Sequence, residues 1–172
     1  MGNTTPTEVT NLDQYGNAAL DWNRAAEALT AGPASGTFFL GTIGSDGRPH
    51  AAGTGAAWID GVFYVVSGPG TRKSRNLEAN PACTISASLA GIDIVVEGTA
   101  ARVTDSATLE RLAAHYRDSG WPAEVEGDGF TAPFTAPSAG PPPWHLYAVT
   151  VHTVYGVAGA EPHGATRWRF AQ

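Results

Sequence analysis

Two Asp-Gly pairs, Asp46-Gly47 and Asp60-Gly61, each stand between runs of β-branched and aromatic residues. Asp-Gly supplies the positive φ that tight turns need, so Ser45-Asp-Gly-Arg48 and Asp60-Gly61 are expected to join neighbouring strands antiparallel. The runs around them are Thr37–Ile43, Pro49–Ile59 and Val62–Ser67. Ala82–Leu89 and Ile92–Val103 flank Ala90-Gly91 in the same way, and Trp144–Val157 and Thr166–Phe170 complete the set. Successive short hairpins of this kind predict a mainly β protein, a small antiparallel barrel with peripheral helices.

Three helices are expected outside that barrel. Leu20, Trp22, Ala25, Ala26 and Leu29 fall on one face between Ala18 and Ala31, and Gly32-Pro33 ends the helix. Thr71 caps a short helix from Arg72 to Ala79, and Asp105 caps another from Ser106 to Arg117. Strands and helices do not alternate as a parallel α/β fold requires. Residues 1–17 lack apolar periodicity and read as a flexible arm, leaving 18–172 as one domain. Within it, 119–143 holds six of the twelve prolines together with Trp121, Phe130 and Phe134. This is a long loop whose aromatics pack somewhere, as a lid or against a partner.

The formal charge is −6, which repels phosphate backbones and anionic membrane surfaces and argues against nucleic-acid binding. No apolar run approaches the ~20 residues of a spanning helix, and residues 1–24 show neither the basic nor the apolar region of a leader. With a single cysteine, Cys83, in an apolar run, a cytoplasmic location is expected. The five histidines show no metal-ligand spacing, so no metal site is expected, and no GxSxG nucleophile motif is present.

Positive charge is scarce and clustered. Of ten Lys and Arg, three lie in Arg72-Lys73-x-Arg75, and Lys73 is the only lysine. They follow a strand, a Gly-containing loop (Gly68-Pro-Gly70) and a helix cap, where backbone N–H groups stand free at the positive end of a helix dipole. That combination reads as a phosphate or carboxylate site for a small anionic ligand, against the alternative of a solvated helix start. The P-loop spacing and GxGxxG are both absent. The run Ala51-Ala-Gly-Thr-Gly-Ala-Ala57 is nearly free of bulk, which fits either a flat ligand or tight packing at a barrel corner.

Three stretches carry a family resemblance: Gly41–His50, Trp58–Ser67 running into Thr71–Leu77, and Thr166–Phe170. They resemble the pyridoxamine 5′-phosphate oxidase-like, FMN-binding split β-barrel superfamily, and more closely its deazaflavin-dependent reductase branch. The likeness covers about residues 18–104 and 144–170. It implies an antiparallel split β-barrel that forms a homodimer with cofactor sites at the interface. It further implies that Thr71, Arg72, Lys73, Arg75 and Asn76 hold a cofactor phosphate, with Ser67, Thr54 and Trp58 near the ring. Trp168 and Arg169 resemble residues that relatives bring toward the site, in some cases from the neighbouring subunit.

On this resemblance the cofactor is the deazaflavin coenzyme F-420, whose anionic tail suits the three-cation loop, with FMN as the alternative. The cofactor supplies the hydride and the protein orientation, which accounts for the lack of a catalytic constellation. The expected function is hydride transfer to a conjugated small molecule such as an enone, quinone or tetrapyrrole. An FMN-dependent oxidoreductase and a non-catalytic flavin or haem binder are the alternatives.

Overall fold

The apolar run Val62-Phe-Tyr-Val-Val66 has no alternation because both of its faces are covered. Phe63 and Val65 point into one core, while Val62, Tyr64 and Val66 point into a second. A strand buried on both sides reads as a continuous hydrophobic stretch. A computed structural model describes residues 5–171 and shows how the two cores arise.

In chain order the elements are β1 (Glu8–Asn11), α1 (Trp22–Ala31), β2 (Phe38–Ile43), β3 (Pro49–Thr54), β4 (Ala56–Ile59), β5 (Val62–Ser67), α2 (Arg72–Ala79), β6 (Ala82–Leu89), β7 (Ile92–Val103), α3 (Ser106–Asp118), β8 (Glu124–Glu126), β9 (Gly129–Thr131), β10 (His145–Val157) and β11 (Ala165–Arg169). The main sheet is antiparallel in the order β1-β11-β10-β7-β6-β2-β3, with β5 on β10 and β4 on β5. The long strand β10 carries the split: its first half lies between β5 and β7 and its second between β11 and β7. The register shifts between Val151 and Thr153, where the partner changes.

The fold is the antiparallel, mainly β barrel expected from the hairpins. At the β4–β5 turn Asp60 and Gly61 both take positive φ, 51° and 79°, the geometry a two-residue hairpin requires. The first core fills the barrel with Leu40, Phe63, Ile85, Ile94, Val96 and Trp168 among others. The second lies outside the β5–β10 pair, where Leu109 and Leu112 of α3 meet Tyr64, Leu146, Phe130 and Trp144.

Several boundaries differ from the sequence reading. The helix expected from Ala18 begins at Trp22, because Asp21 accepts from Asn23 N as the cap and Leu20 N is tied to the buried Thr166 hydroxyl at 2.7 Å. The run Pro49–Ile59 is two strands: it breaks at Gly55, β3 pairing with β2 and β4 with β5. Part of the supposed arm is ordered, since Glu8–Asn11 pairs with Thr166–Arg169 on the exposed sheet edge; residues 1–4 of the arm lie outside the described residues. The 119–143 segment is not structureless either. It contains the β8–β9 hairpin, and Phe130 bridges to Trp144.

Candidate functional site

The break at Gly55 opens the molecule. With two glycines and two alanines at residues 53–57, the chain crosses from the edge of β2 to the edge of β5 without filling the space between them. A cavity of 770 Å³ lies there, bounded by the end of α1, the β3–β4 junction, the end of β5, the first turn of α2, and α3 with the 119–144 segment. The small-residue run thus forms part of the cavity wall where the chain changes sheet partner.

Thr54 and Trp58 line the cavity, with the Trp58 indole held against Phe63 at 4.8 Å between ring centres. Ser67 and Lys73 line it from the opposite side. Thr71, the cap of α2, accepts from Ser74 N and donates to Gly68 O at 2.8 Å. It also lies 3.0 Å from the Ser67 hydroxyl, to which the buried Ser74 hydroxyl donates at 2.7 Å. Three hydroxyls thus tie the strand end to the helix start. Lys73 is the only Lys, Arg, Asp or Glu among the described residues lining the cavity, and no carboxylate pairs with it. Burial holds its ammonium below the ordinary lysine pKa. An uncompensated, half-buried cation among aromatic walls is a site for an anion.

The structure separates the other predicted phosphate residues from Lys73. Arg72, Arg75 and Asn76 open onto a second, smaller cleft shared with Gly44, Ser45 and Asp46 of the β2–β3 turn. The helical period of α2 causes this, since Lys73 lies about 100° from each neighbour around the axis. The Arg75 guanidinium also donates to Gly70 O, and the Asn76 amide donates to the buried Thr42 hydroxyl at 2.9 Å, fastening α2 to β2.

Trp168 and Arg169 do not join either opening. Strand β11 alternates, so Trp168 points inward, fully buried and edge-on to Trp22, while Arg169 points outward and pairs with Glu8 at 3.4 Å. Within the chain they hold the barrel end and the β1 edge.

Sequence reasoning missed the far wall. His115 and Tyr116 of α3, together with Trp121, Phe134 and Trp144, line the cavity. Two indoles pin this wall, Trp121 Nε1 donating to Phe134 O at 2.7 Å and Trp144 Nε1 to Gly140 O at 3.0 Å. The Tyr116 hydroxyl is buried without a hydrogen-bond partner, and burial pushes its pKa upward. The aromatics of the 119–143 segment were the available signal. Among the described residues no group of His, Cys, Asp or Glu has metal-binding geometry, and no helix is long and apolar enough to cross a membrane.

A family model described as pyridoxamine 5′-phosphate oxidase matches residues 25–158, from within α1 through β10, including the residues that line the cavity. The chain belongs to the pyridoxamine 5′-phosphate oxidase family. Solved structures share the fold of this family member. A NimC/NimA family protein from Clostridium acetobutylicum is 20% identical with a TM-score of 0.58, the match covering 85% of this chain and 90% of that one. A FAD-binding protein from Mesorhizobium loti is 19% identical over 93% and 97% of the two chains, with a TM-score of 0.52. An F-420 reductase is 23% identical over 74% and 94%, with a TM-score of 0.50. A search of curated proteins finds no match to the chain. The pyridoxamine 5′-phosphate oxidase family includes oxidoreductases, and a flavin-type cofactor fits this fold.

Proposed function

We propose that the 770 Å³ cavity binds coenzyme F-420 and that the protein is an oxidoreductase delivering hydride to a planar conjugated acceptor, an enone, quinone or tetrapyrrole. The observation that carries this reading is Lys73, unpaired and half-buried beside Ser67 in an aromatic cavity. Arg72 and Arg75 around the same helix turn suit a ligand whose anionic tail extends beyond one phosphate. Thr71 fixes the helix start, and Thr54 and Trp58 flank the ring. When bound, the cofactor supplies the hydride; the chain's residues bind its charge, orient it and exclude water.

FMN is the second reading, because Lys73 and the hydroxyls suffice for a terminal phosphate. A non-catalytic flavin or haem carrier is the third. Titration of the purified protein with coenzyme F-420 and with FMN, followed by fluorescence, separates them. Micromolar or tighter deazaflavin binding together with acceptor-dependent oxidation of the reduced coenzyme supports the first reading. Preference for FMN supports the second, and binding without turnover of any acceptor the third.

The same reading includes a homodimer. The row Gly53, Phe39, Ser86, Val95, Tyr155 crosses five neighbouring strands on the outer sheet face. Phe39 is exposed at 52% between Gly53 and Ser86, and Val95 at 42% between Ser86 and Tyr155. A second copy covers such a flat apolar strip well, and Gly53 lies both in this row and in the cavity wall, which favours a site at the interface. The buried single thiol fits the reducing cytoplasm.

A further inference from the structure

The charged end of the cavity rests on a cluster of three hydroxyls, of which that of Ser74 is completely buried. The Thr71 hydroxyl has its nearest acceptor in Gly68 O at 2.8 Å and a second in Ser74 Oγ at 3.2 Å, and Ser74, completely buried, donates to Ser67 at 2.7 Å. Only the Ser67 hydrogen has no fixed acceptor, with Thr71 Oγ1 at 3.0 Å on one side and the cavity on the other. Behind Ser74 lies Tyr147, a core residue of β10 whose buried hydroxyl has no hydrogen bond of normal geometry, although Ser74 is close enough to influence its ionisation. Burial raises the Tyr147 pKa, so the phenol stays protonated, and with the Ser74 hydrogen already on Ser67 the phenol is the group left to donate toward Ser74.

We propose that Ser74 and Tyr147 are positioning residues: they align Ser67 as a hydrogen-bond donor to a phosphoryl or carbonyl oxygen of the ligand beside Lys73. With Tyr147 directed at Ser74 and Ser74 at Ser67, the Ser67 oxygen is already accepting, and its own hydrogen turns to the cavity when an acceptor arrives. Thr71 gives up only the hydrogen it accepted from Ser67, while its own stays on Gly68 O and it still accepts from Ser74 N. A chain of hydroxyls aligned in one direction polarises its last member and strengthens the bond it makes. The order of residues explains why polar groups with no contact to the cavity sit in an otherwise apolar core.

The inference rests on the cofactor reading above and is tested by a double-mutant cycle in cofactor affinity, with FMN and coenzyme F-420 as probes. Ser67→Ala and Ser74→Ala should each weaken binding about fivefold, and Tyr147→Phe about threefold, the scale of one neutral hydrogen bond or part of one. In a Ser67→Ala background Tyr147→Phe should have no further effect, because its route to the ligand is gone. Circular dichroism checks that each variant is folded, and Ser67→Thr should restore most of the affinity. Equal weakening by Tyr147→Phe in both backgrounds, or none in the wild-type background, overturns the inference alone. Failure of the wild-type protein to bind either probe overturns the cofactor reading and this inference with it.

Discussion

Arg72 and Lys73 are neighbours in the chain but open onto different surfaces, Lys73 onto the large cavity and Arg72 onto the cleft above the β2–β3 turn. One helical step separates a cation that faces the large cavity from one that faces only the smaller cleft. Lys73→Met should therefore weaken FMN and coenzyme F-420 alike, by at least about tenfold for one charged hydrogen bond. Arg72→Ala with Arg75→Ala should weaken only the longer, tail-bearing coenzyme. Paired fluorescence titrations check this, and equal losses for both ligands in the arginine variant would refute the division of labour.

Binding should also depend on pH through Lys73. Desolvation favours the neutral amine, so its folded pKa lies below the ordinary lysine value of 10.5. An anion needs the ammonium, so affinity should fall as pH rises through that lowered value, earlier than for an exposed lysine. Titrations from pH 7 to 10 should show the decline in wild type, and Lys73→Met should remove it.

Gly68 lets the loop before α2 pass under the 119–143 segment. A Cβ there would fall inside any allowed contact with Ala139 O, whereas one at Gly70 would meet nothing. Gly68→Ala should cost about 1–3 kcal/mol of stability and reduce cofactor affinity by displacing the cavity wall, while Gly70→Ala should do neither. Urea unfolding and the same titrations measure both.

Trp168 packs edge-on to Trp22 with ring centres 5.5 Å apart, and its ring lies so close to Gly156 that no side chain fits there. Trp168→Ala should lower stability by about 3–5 kcal/mol and leave the cofactor affinity of the remaining folded protein unchanged. A selective loss of affinity at unchanged stability would return Trp168 to the ligand site.

Cys83 is buried, and its thiol is pushed up to about 11 by desolvation. It should resist a thiol reagent at pH 8 in the native protein and react fully in denaturant, since the thiolate is the nucleophile.

The hairpins were legible because their signals are local: Asp60-Gly61 adopts positive φ wherever it folds, and Thr71 and Asp105 cap the helices that follow them. The cationic run Arg72-Lys73-x-Arg75 at a helix start could be read in the same way. Glu8–Asn11 could not, because an edge strand with little apolar patterning is defined by its partner, here Thr166–Arg169. Nor could the hairpin within 119–143, which depends on packing of Phe130 against α3 and Trp144.

The amino-acid sequence by itself determined the strand and helix types, the class of fold and the position of the cationic helix start, since each depends on residues within a few places of one another. Tertiary structure decided which of these residues meet. It turned Lys73 toward the cavity and Arg72 away, brought α3 and the 119–143 segment over the Gly55 opening, and placed Trp168 in the barrel core. Those outcomes follow from helical phase, strand alternation and the burial of aromatic surface across long chain separations, and no local pattern encodes them.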